Sequence, residues 1–488
     1  MKQKFLINLF LVIGLNLLIK PFYIIGIDAE VQNRVGEAIY GNYFSLLNFS
    51  FLLNILLDFG LSNYNTRNIA SNPKLIKEQF YKILSLRLIL FLVYAIFTGV
   101  AAFTIGYEGN ELYLLGILAV NQFLVAVVQF GRSNFSGLHM FATDSVMSVL
   151  DRGLLIIFCS ILLWTNFAGG AMKIEWFVYA QTLSYGIAAL IAVILLIKKA
   201  GPLALDFKRE FSFSILRESF PYALLILLMM AYNRIDTVMI ERMLHNGDEQ
   251  AGVYAQGFRF LDAANMFALL FAGLLLPIFS RLIAQKKSVE KICELAFRIL
   301  AGTAIIVSLT CYFFSWEIIS WRYPGYAEDS EVTFSFLMLC FIPVSISYVF
   351  GTLLTANGSL RYLNYIALSG LIINVGLNCY FIPAGQALGA SMVALITQWA
   401  TVIVLVIVAY RIFKLKINFK MYAALTGLVL LMIGMQMVFI RLVEISKLAE
   451  FVVLSGSAII FAFVTGIFKI SDFSVLIRKS QEEKPVES

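Results

Sequence analysis

The chain has 488 residues, of which 60% are hydrophobic and only 14% charged, with a mean hydropathy of +0.85, and no water-soluble core can hide that much apolar surface. Its net charge of +7 lies in the breaks between apolar stretches, so the basic balance reflects membrane topology and nucleic acid is not an expected partner. Cys159, Cys293, Cys311, Cys340 and Cys379 lie in or beside apolar stretches without paired spacing, so neither disulfides nor a metal site is expected.

Crossing roughly 30 Å of hydrocarbon as a helix takes about 20 apolar residues. About fourteen stretches qualify, at 4–26, 39–62, 81–105, 111–133, 144–165, 174–198, 218–240, 252–276, 293–319, 331–355, 362–382, 386–410, 421–441 and 449–468; they are numbered spans 1 to 14 below. Barrel strands would be shorter and alternating, so an all-α polytopic membrane protein is expected. Span 1 follows Lys2 and Lys4 as a signal peptide would, but it is too long, is interrupted by Lys20 and lacks a cleavage motif, so it is read as a retained helix. Pro21, Pro277 and Pro343 lie inside or near helix ends, as hinges or as static kinks.

The loop charges test the span count independently. Most of the basic residues fall in alternate breaks, from Lys74, Lys77 and Lys82 through Lys198 and Lys199, Lys286, Lys287 and Lys291 to Lys414, Lys416 and Lys420. The opposite breaks hold few cations, among them Arg34 and Arg242, beside acids such as Asp28, Glu30, Glu108, Glu111 and Asp248. The positive-inside rule then puts both termini in the cytoplasm.

Residues 39–44, Ile-Tyr-Gly-Asn-Tyr-Phe, return 214 residues later as Val253-Tyr254-Ala255-Gln256-Gly257-Phe258, and Arg67-Asn68-Ile69-Ala70 returns as Arg281-Leu282-Ile283-Ala284. Lys20 and Arg234 share that offset. The expected domains are therefore a six-helix bundle over 1–198, a cytoplasmic linker over 199–217, a second bundle over 218–410, two additional transmembrane helices over 411–470 and a cytoplasmic tail over 471–488. Repeats of this kind mark transporters whose substrate site lies between two halves.

An ionised side chain at the bilayer centre costs about 2.5–3.5 kcal/mol, so charges within spans should face an interior. Arg87 and Arg298 lie near the cytoplasmic ends of spans 3 and 9, where a long side chain reaches the headgroups. Arg152 adjoins Asp151, as local charge balance or as part of a cavity wall. Counted from the span limits, Lys20, Arg234 and Arg259 share a level near the periplasmic face, with Asp236 and Asp262 close by. They line a wet cavity, or else Arg259 and Asp262 belong to an ion-pair network pinning span 7 to span 8. Asn48 matches Asp262 at the repeat offset, and Asn54 and Asn265 add polar groups. Asp58 is either exposed to a cytoplasmic vestibule or a protonatable coupling group. Arg67 and Arg281 follow spans 2 and 8 at equivalent places, as a cytoplasmic gate or as ordinary anchors. His139 and His245 sit at loop edges without a motif and are read as surface residues.

Glu37-Ala38-Ile39-Tyr40-Gly41-Asn42-Tyr43, then Leu57-Asp58-Phe59-Gly60-Leu61, resembles the opening module of the bacterial polysaccharide and O-antigen flippases, and Asn233-Arg234-Ile235-Asp236 followed by Ala251-Gly252-Val253-Tyr254 resembles their second half. These belong to the polysaccharide branch of the multidrug, oligosaccharidyl-lipid and polysaccharide exporter superfamily. The resemblance implies two pseudo-symmetric six-helix bundles in a V around a central cavity, plus two C-terminal helices. It implies transfer of an undecaprenyl-pyrophosphate-linked repeat unit from the cytoplasmic to the periplasmic leaflet of the bacterial inner membrane. The cavity cations it implies fall on Lys20, Arg234 and Arg259, with Asn48 beside them, and its coupling or charge-balancing acids on Asp58, Asp236 and Asp262. A polysaccharide polymerase and a chain-length regulator are candidate partners, along with membrane lipids. No nucleotide-binding motif or cofactor is evident, so the expected energy source is a proton or sodium gradient, the membrane potential or substrate supply.

Two other functions compete: a multidrug or cation exporter of the same superfamily, and a membrane polysaccharide polymerase or ligase. Basic residues in the spans speak against the first, and the short non-cytoplasmic breaks against the second.

Overall fold

The computed structural model describes residues 14–62, 65–66, 69, 72–138, 140–165, 172–201, 209–325, 327–442 and 446–469, and every regular element among them is a helix. The chain is an all-α polytopic membrane protein, and eleven of its described helices are long and apolar enough to cross a bilayer. Three local features separate eleven from the fourteen expected. Spans 11 and 12 run together as Leu360–Phe413, joined at Gln386, whose φ of 53° and ψ of −135° interrupt the helix. Span 2 is broken into Glu37–Leu52 and Ile55–Asp58, and the left-handed pair Phe59 and Gly60 turns the chain immediately afterwards. Span 1 is described only from residue 14.

Span 1 runs further than its hydropathy indicates. A π-helical stretch, Tyr23–Asp28, follows Lys20 and Pro21, and α-helix resumes over Ala29–Val35. About 15 residues therefore separate Lys20 from the helix end, a rise of roughly 20 Å. This corrects the expectation that Lys20 lies one or two turns from the end. It also moves Asp28 from a loop into the fold, where it is fully buried. Span 10 breaks at Cys340 into Ala327–Leu339 and Phe341–Ala356, and Pro343 falls in the first turn of the second piece, where its missing N–H costs little. Pro277 lies inside the continuous helix Gly247–Ala284.

The described residues group into two compact units. One comprises 14–255 with Leu371–Ala390; the other comprises 256–370 with 391–469. In the first, spans 4 and 6 approach so closely that a Cβ on Gly131 would lie 2.8 Å from that of Ala192. Phe80 stacks on Phe130 with centroids 5.5 Å apart, and Tyr43 meets Phe177 edge-on at 5.5 Å while its hydroxyl accepts from Gln181 Nε2 at 2.7 Å. In the second unit, Gly257 packs against the Phe334 backbone and Ser308 Oγ donates to the Met338 carbonyl at 2.7 Å. The hydroxyls of Tyr410 and Tyr422 meet at 2.9 Å, and Gln436 Nε2 donates to Glu450 Oε1 at 2.7 Å, fastening span 13 to span 12 and span 14 to span 13.

Replacing Gly131 by Leu should force spans 4 and 6 apart at a cost of about 1–3 kcal/mol. A lower thermal unfolding midpoint of the detergent-solubilised protein is expected; an unchanged midpoint would contradict the close approach at Ala192.

Candidate functional site

The first cluster lies between spans 1, 5 and 6. Asn16 Nδ2 donates to Ser148 Oγ at 2.9 Å, which sets span 1 beside span 5. One helical turn further along each helix come Lys20 and Arg152, on the faces that carry Asn16 and Ser148. Lys20 is half-buried and makes no hydrogen bond or ion pair among the described residues; the charges acting on it are those of Arg152, Arg132 and Asp151. Arg152 lies between two aromatic rings, 4.9 Å from the centroid of Tyr23 and 5.3 Å from that of Tyr185, and donates to the Tyr185 hydroxyl at 2.7 Å. Asp151 lies 3.7 Å from Arg152, and Arg132 pairs with Asp144 at 2.8 Å.

The second cluster joins spans 2 and 7. Arg234 Nη1 donates to Asn48 Oδ1 at 3.3 Å, and its guanidinium lies 5.4 Å from the Phe51 centroid. Asn48 in turn donates to the Phe44 carbonyl at 2.9 Å and to Thr237 Oγ1 at 3.3 Å. Two of the residues expected to bind substrate are thus brought together. Asp236 is two positions from Arg234, a spacing that sends side chains to different helix faces. Its carboxylate, 2% exposed, accepts from the Tyr254 hydroxyl at 2.9 Å, Asn374 Nδ2 at 2.9 Å and Asn378 Nδ2 at 2.7 Å. The two asparagines, one turn apart in an apolar run, were missed in the sequence; their i, i+4 spacing was the available signal. The repeat has a parallel here. Tyr40 and Tyr254 stand at the 214-residue offset, and Tyr40 donates to buried Asp28 at 2.6 Å as Tyr254 does to Asp236.

A third cluster ties the far ends of spans 2, 4 and 7 to the start of span 8. Glu241 accepts from Ser45 Oγ at 3.1 Å and Tyr107 OH at 2.8 Å, and lies 3.0 Å from Arg242 Nε. Arg242 sits 3.5 Å above the Tyr107 ring and pairs with Glu111 at 3.0 Å, and Asn42 donates to Glu111 at 3.0 Å and to Asp248 at 3.2 Å. Burial, with the Glu241 carboxylate alongside, raises the Tyr107 phenol well above its ordinary range, so it remains a donor. Backbones meet here too. A Cβ on Gly41 would overlap the Asp248 carbonyl, one on Gly252 would overlap that of Glu37, and Gln32 Nε2 donates to the Gly252 carbonyl at 2.9 Å. Arg242, Glu111 and Asp248 had been counted as loop charges.

The remaining candidates stand apart from these clusters. Asp58 pairs with Arg87, which is 1% exposed and also donates to Ser62 Oγ at 2.9 Å and the Ala126 carbonyl at 3.2 Å. This corrects the expectation that Arg87 reaches the headgroups: it is buried because its charge is matched within the helix bundle. Arg298 donates to the Gly466 carbonyl. Arg259 and Asp262 are 3.9 Å apart along one helix in the second compact unit. Arg281 is exposed near the end of span 8; Arg67 and His139 lie outside the described residues.

A polytopic helical fold with cations and hydrogen-bonded carboxylates within its spans defines a multi-pass membrane protein. The sequence pattern of the polysaccharide biosynthesis protein family matches residues 8–283, and the chain belongs to that family. No curated protein matches the chain by sequence. Its fold is similar to that of the lipid II flippase MurJ in an inward closed conformation, with a TM-score of 0.65 and 14% identity over 97% of this chain and 99% of that one. It is similar to an inward-facing multidrug resistance MATE family transporter of the MOP superfamily, with a TM-score of 0.62 and 16% identity over 81% and 94%. It also resembles a MOP superfamily transporter from Pyrococcus furiosus whose reversed binding-pocket polarity suggested a different function, at 0.57 and 17% over 84% and 94%.

Asp58→Asn should leave the Arg87 guanidinium buried without its counter-charge, at a cost of about 3–5 kcal/mol, whereas the double change Asp58→Leu with Arg87→Leu should recover much of the loss. Thermal midpoints of the three proteins test this; a stable single mutant would contradict the pairing.

Proposed function

We propose that this protein is a flippase that carries an undecaprenyl-pyrophosphate-linked oligosaccharide, an O-antigen, capsule or exopolysaccharide repeat unit, from the cytoplasmic to the periplasmic leaflet of the bacterial inner membrane, with both termini cytoplasmic. The observation that carries the proposal is Lys20, a cation deep in a membrane-spanning helix with no hydrogen bond or ion pair among the described residues. A half-buried cation within a span that no carboxylate pairs directly is expensive, and an anionic headgroup passing through a low-dielectric route supplies its counter-charge. Arg234 in span 7, held by Asn48, and Arg259 in span 8 are the further substrate-binding cations of this reading. A diphosphate suits guanidinium groups, which offer planar paired donors.

Membership of the polysaccharide biosynthesis family and likeness in fold to a lipid II flippase support this reading. In it, 1–198 and 218–410 act as two bundles that alternate access to the substrate, with 199–217 as the cytoplasmic linker, 411–470 as accessory spans and 471–488 as a cytoplasmic tail. The Glu241–Arg242–Glu111 cluster closes the periplasmic side, and Arg67 and Arg281 latch the cytoplasmic side. Coupling to a proton or sodium gradient falls on Asp236, whose three hydrogen-bond donors hold a carboxylate in place to exchange an ion. Asp58 and Asp262 balance charge. A polymerase and a chain-length regulator receive the product.

The test is a deletion strain complemented with wild type or with Lys20→Ala, Arg234→Ala, Arg259→Ala or Asp236→Asn. Loss of one charge-assisted contact, about 1.5–3 kcal/mol, corresponds to roughly ten- to hundredfold in affinity. Surface polysaccharide should fall accordingly, while intact lipid-linked units accumulate on the cytoplasmic leaflet. Units that reach the periplasmic leaflet unpolymerised would point to a polymerase or ligase; unchanged pools in all four variants would contradict the flippase and favour an exporter.

A further inference from the structure

Within the second compact unit a narrow cleft opens where the start of span 9, the end of span 12 and the start of span 13 meet. Phe297, Phe350, Tyr410 and Tyr422 form a closed ring around it: the Phe297 centroid lies 5.7 Å from those of Phe350 and Tyr422, Phe350 lies 6.0 Å from Tyr410, and the two tyrosine hydroxyls meet at 2.9 Å. Beside that ring Glu290 and Glu294 stand four residues apart on one face of span 9. Each is fixed by the loop between spans 12 and 13. Glu290 Oε1 accepts from the Lys416 backbone N–H at 3.1 Å, and Glu294 Oε1 accepts from Asn418 Nδ2 at 2.7 Å. Neither pairs with a cation among the described residues. Glu290 sits in the first turn, where the helix dipole favours it, but Glu294 lies beyond that turn, and two like charges at this spacing repel. The Cys293 thiol, 3% exposed, also lines the cleft and makes no hydrogen bond among the described residues.

Two carboxylates without a paired cation, beside aromatic faces that attract one, suit a cationic ligand. The free space is about that of a single water molecule, which admits a primary ammonium and is too small for a trimethylated one. The lysines nearby select further. Lys416 lines the cleft and, like Lys291, Lys414 and Lys420, is exposed, so a soluble polycation is repelled while a phosphate next to the ammonium is drawn in. The cleft lies at the ends of three spans, level with lipid headgroups. We propose that it binds the headgroup of an ethanolamine phospholipid, with the primary ammonium between Glu290, Glu294 and the aromatic ring and the phosphate on Lys416. The site is separate from the cations assigned to the cargo and does not depend on what the protein carries. A lipid held there joins span 13 to spans 9 and 12.

The full-length protein, purified in detergent and stripped of lipid, is titrated with phosphatidylethanolamine, its monomethyl and dimethyl derivatives and phosphatidylcholine, all with the same acyl chains, and separately with putrescine. Dissociation constants are read by native mass spectrometry. Phosphatidylethanolamine should bind about tenfold or more tightly than phosphatidylcholine, with affinity falling at each added methyl group, and putrescine should bind more weakly than the ethanolamine lipid. Glu290→Gln combined with Glu294→Gln, which keeps acceptors for the Lys416 N–H and Asn418 but removes both charges, should collapse the preference. A double variant that keeps the wild-type preference overturns the site. If that variant fails to fold, the methyl series on the wild type decides: equal affinities along it, or no binding of phosphatidylethanolamine, overturn the proposal. Tight putrescine binding without a preference among the lipids overturns it as well and assigns the cleft to a soluble amine.

Discussion

A charge placed in hydrocarbon must be matched, hidden or put to use, and the arrangement of this protein follows from how each buried charge meets that demand. Arg87 and Asp58 match each other in the helix bundle. Asp236 is hidden, with three neutral donors on its oxygens. Glu241 and Arg242 share a network that draws in spans 2, 4 and 7 and the start of span 8. Lys20 makes no hydrogen bond or ion pair among the described residues, and under the proposed function an anionic cargo supplies its counter-charge.

The internal repeat supplies a second level of organisation. The two repeat tyrosines each donate to a buried aspartate on the preceding span, so one local solution to burying a carboxylate is used twice. The same segments provide Gly41 and Gly252, whose lack of side chains lets the backbones of spans 2 and 8 touch. Repetition thus yields a close crossing and two hydrogen-bonded acids from one short motif.

Much of this was legible in the amino-acid order, because hydrocarbon imposes simple rules on length and charge. Most span positions, the end of span 2 near Asp58-Phe-Gly and the placement of Arg234 and Asp236 within span 7 all appear there. Tertiary partners do not. Hydropathy ends span 1 at residue 26, yet the helix continues to Val35, because Asp28 is satisfied by a tyrosine twelve residues on. Arg242 and Glu111 read as loop charges until Tyr107 and Glu241 enclose them. Arg87 has the position of a residue that reaches for the headgroups, and only the facing Asp58 reveals why it stays inside. Arg152 next to Asp151 reads as a local pair, and that pair is present; the two aromatic rings that flank the guanidinium come from spans 1 and 6 and are not visible in the local sequence.

The most direct test of the central claim, that these buried cations serve the passage of an anionic lipid-linked sugar, is transbilayer movement by the purified protein. The full chain is reconstituted into sealed liposomes carrying a fluorescent polyprenyl-diphosphate-linked oligosaccharide in both leaflets, and a membrane-impermeant quencher is added outside. The account predicts that fluorescence from both leaflets is lost in vesicles containing the protein, while protein-free vesicles keep the signal of the inner leaflet. An inner-leaflet signal that survives in the presence of folded protein and an imposed ion gradient would contradict it.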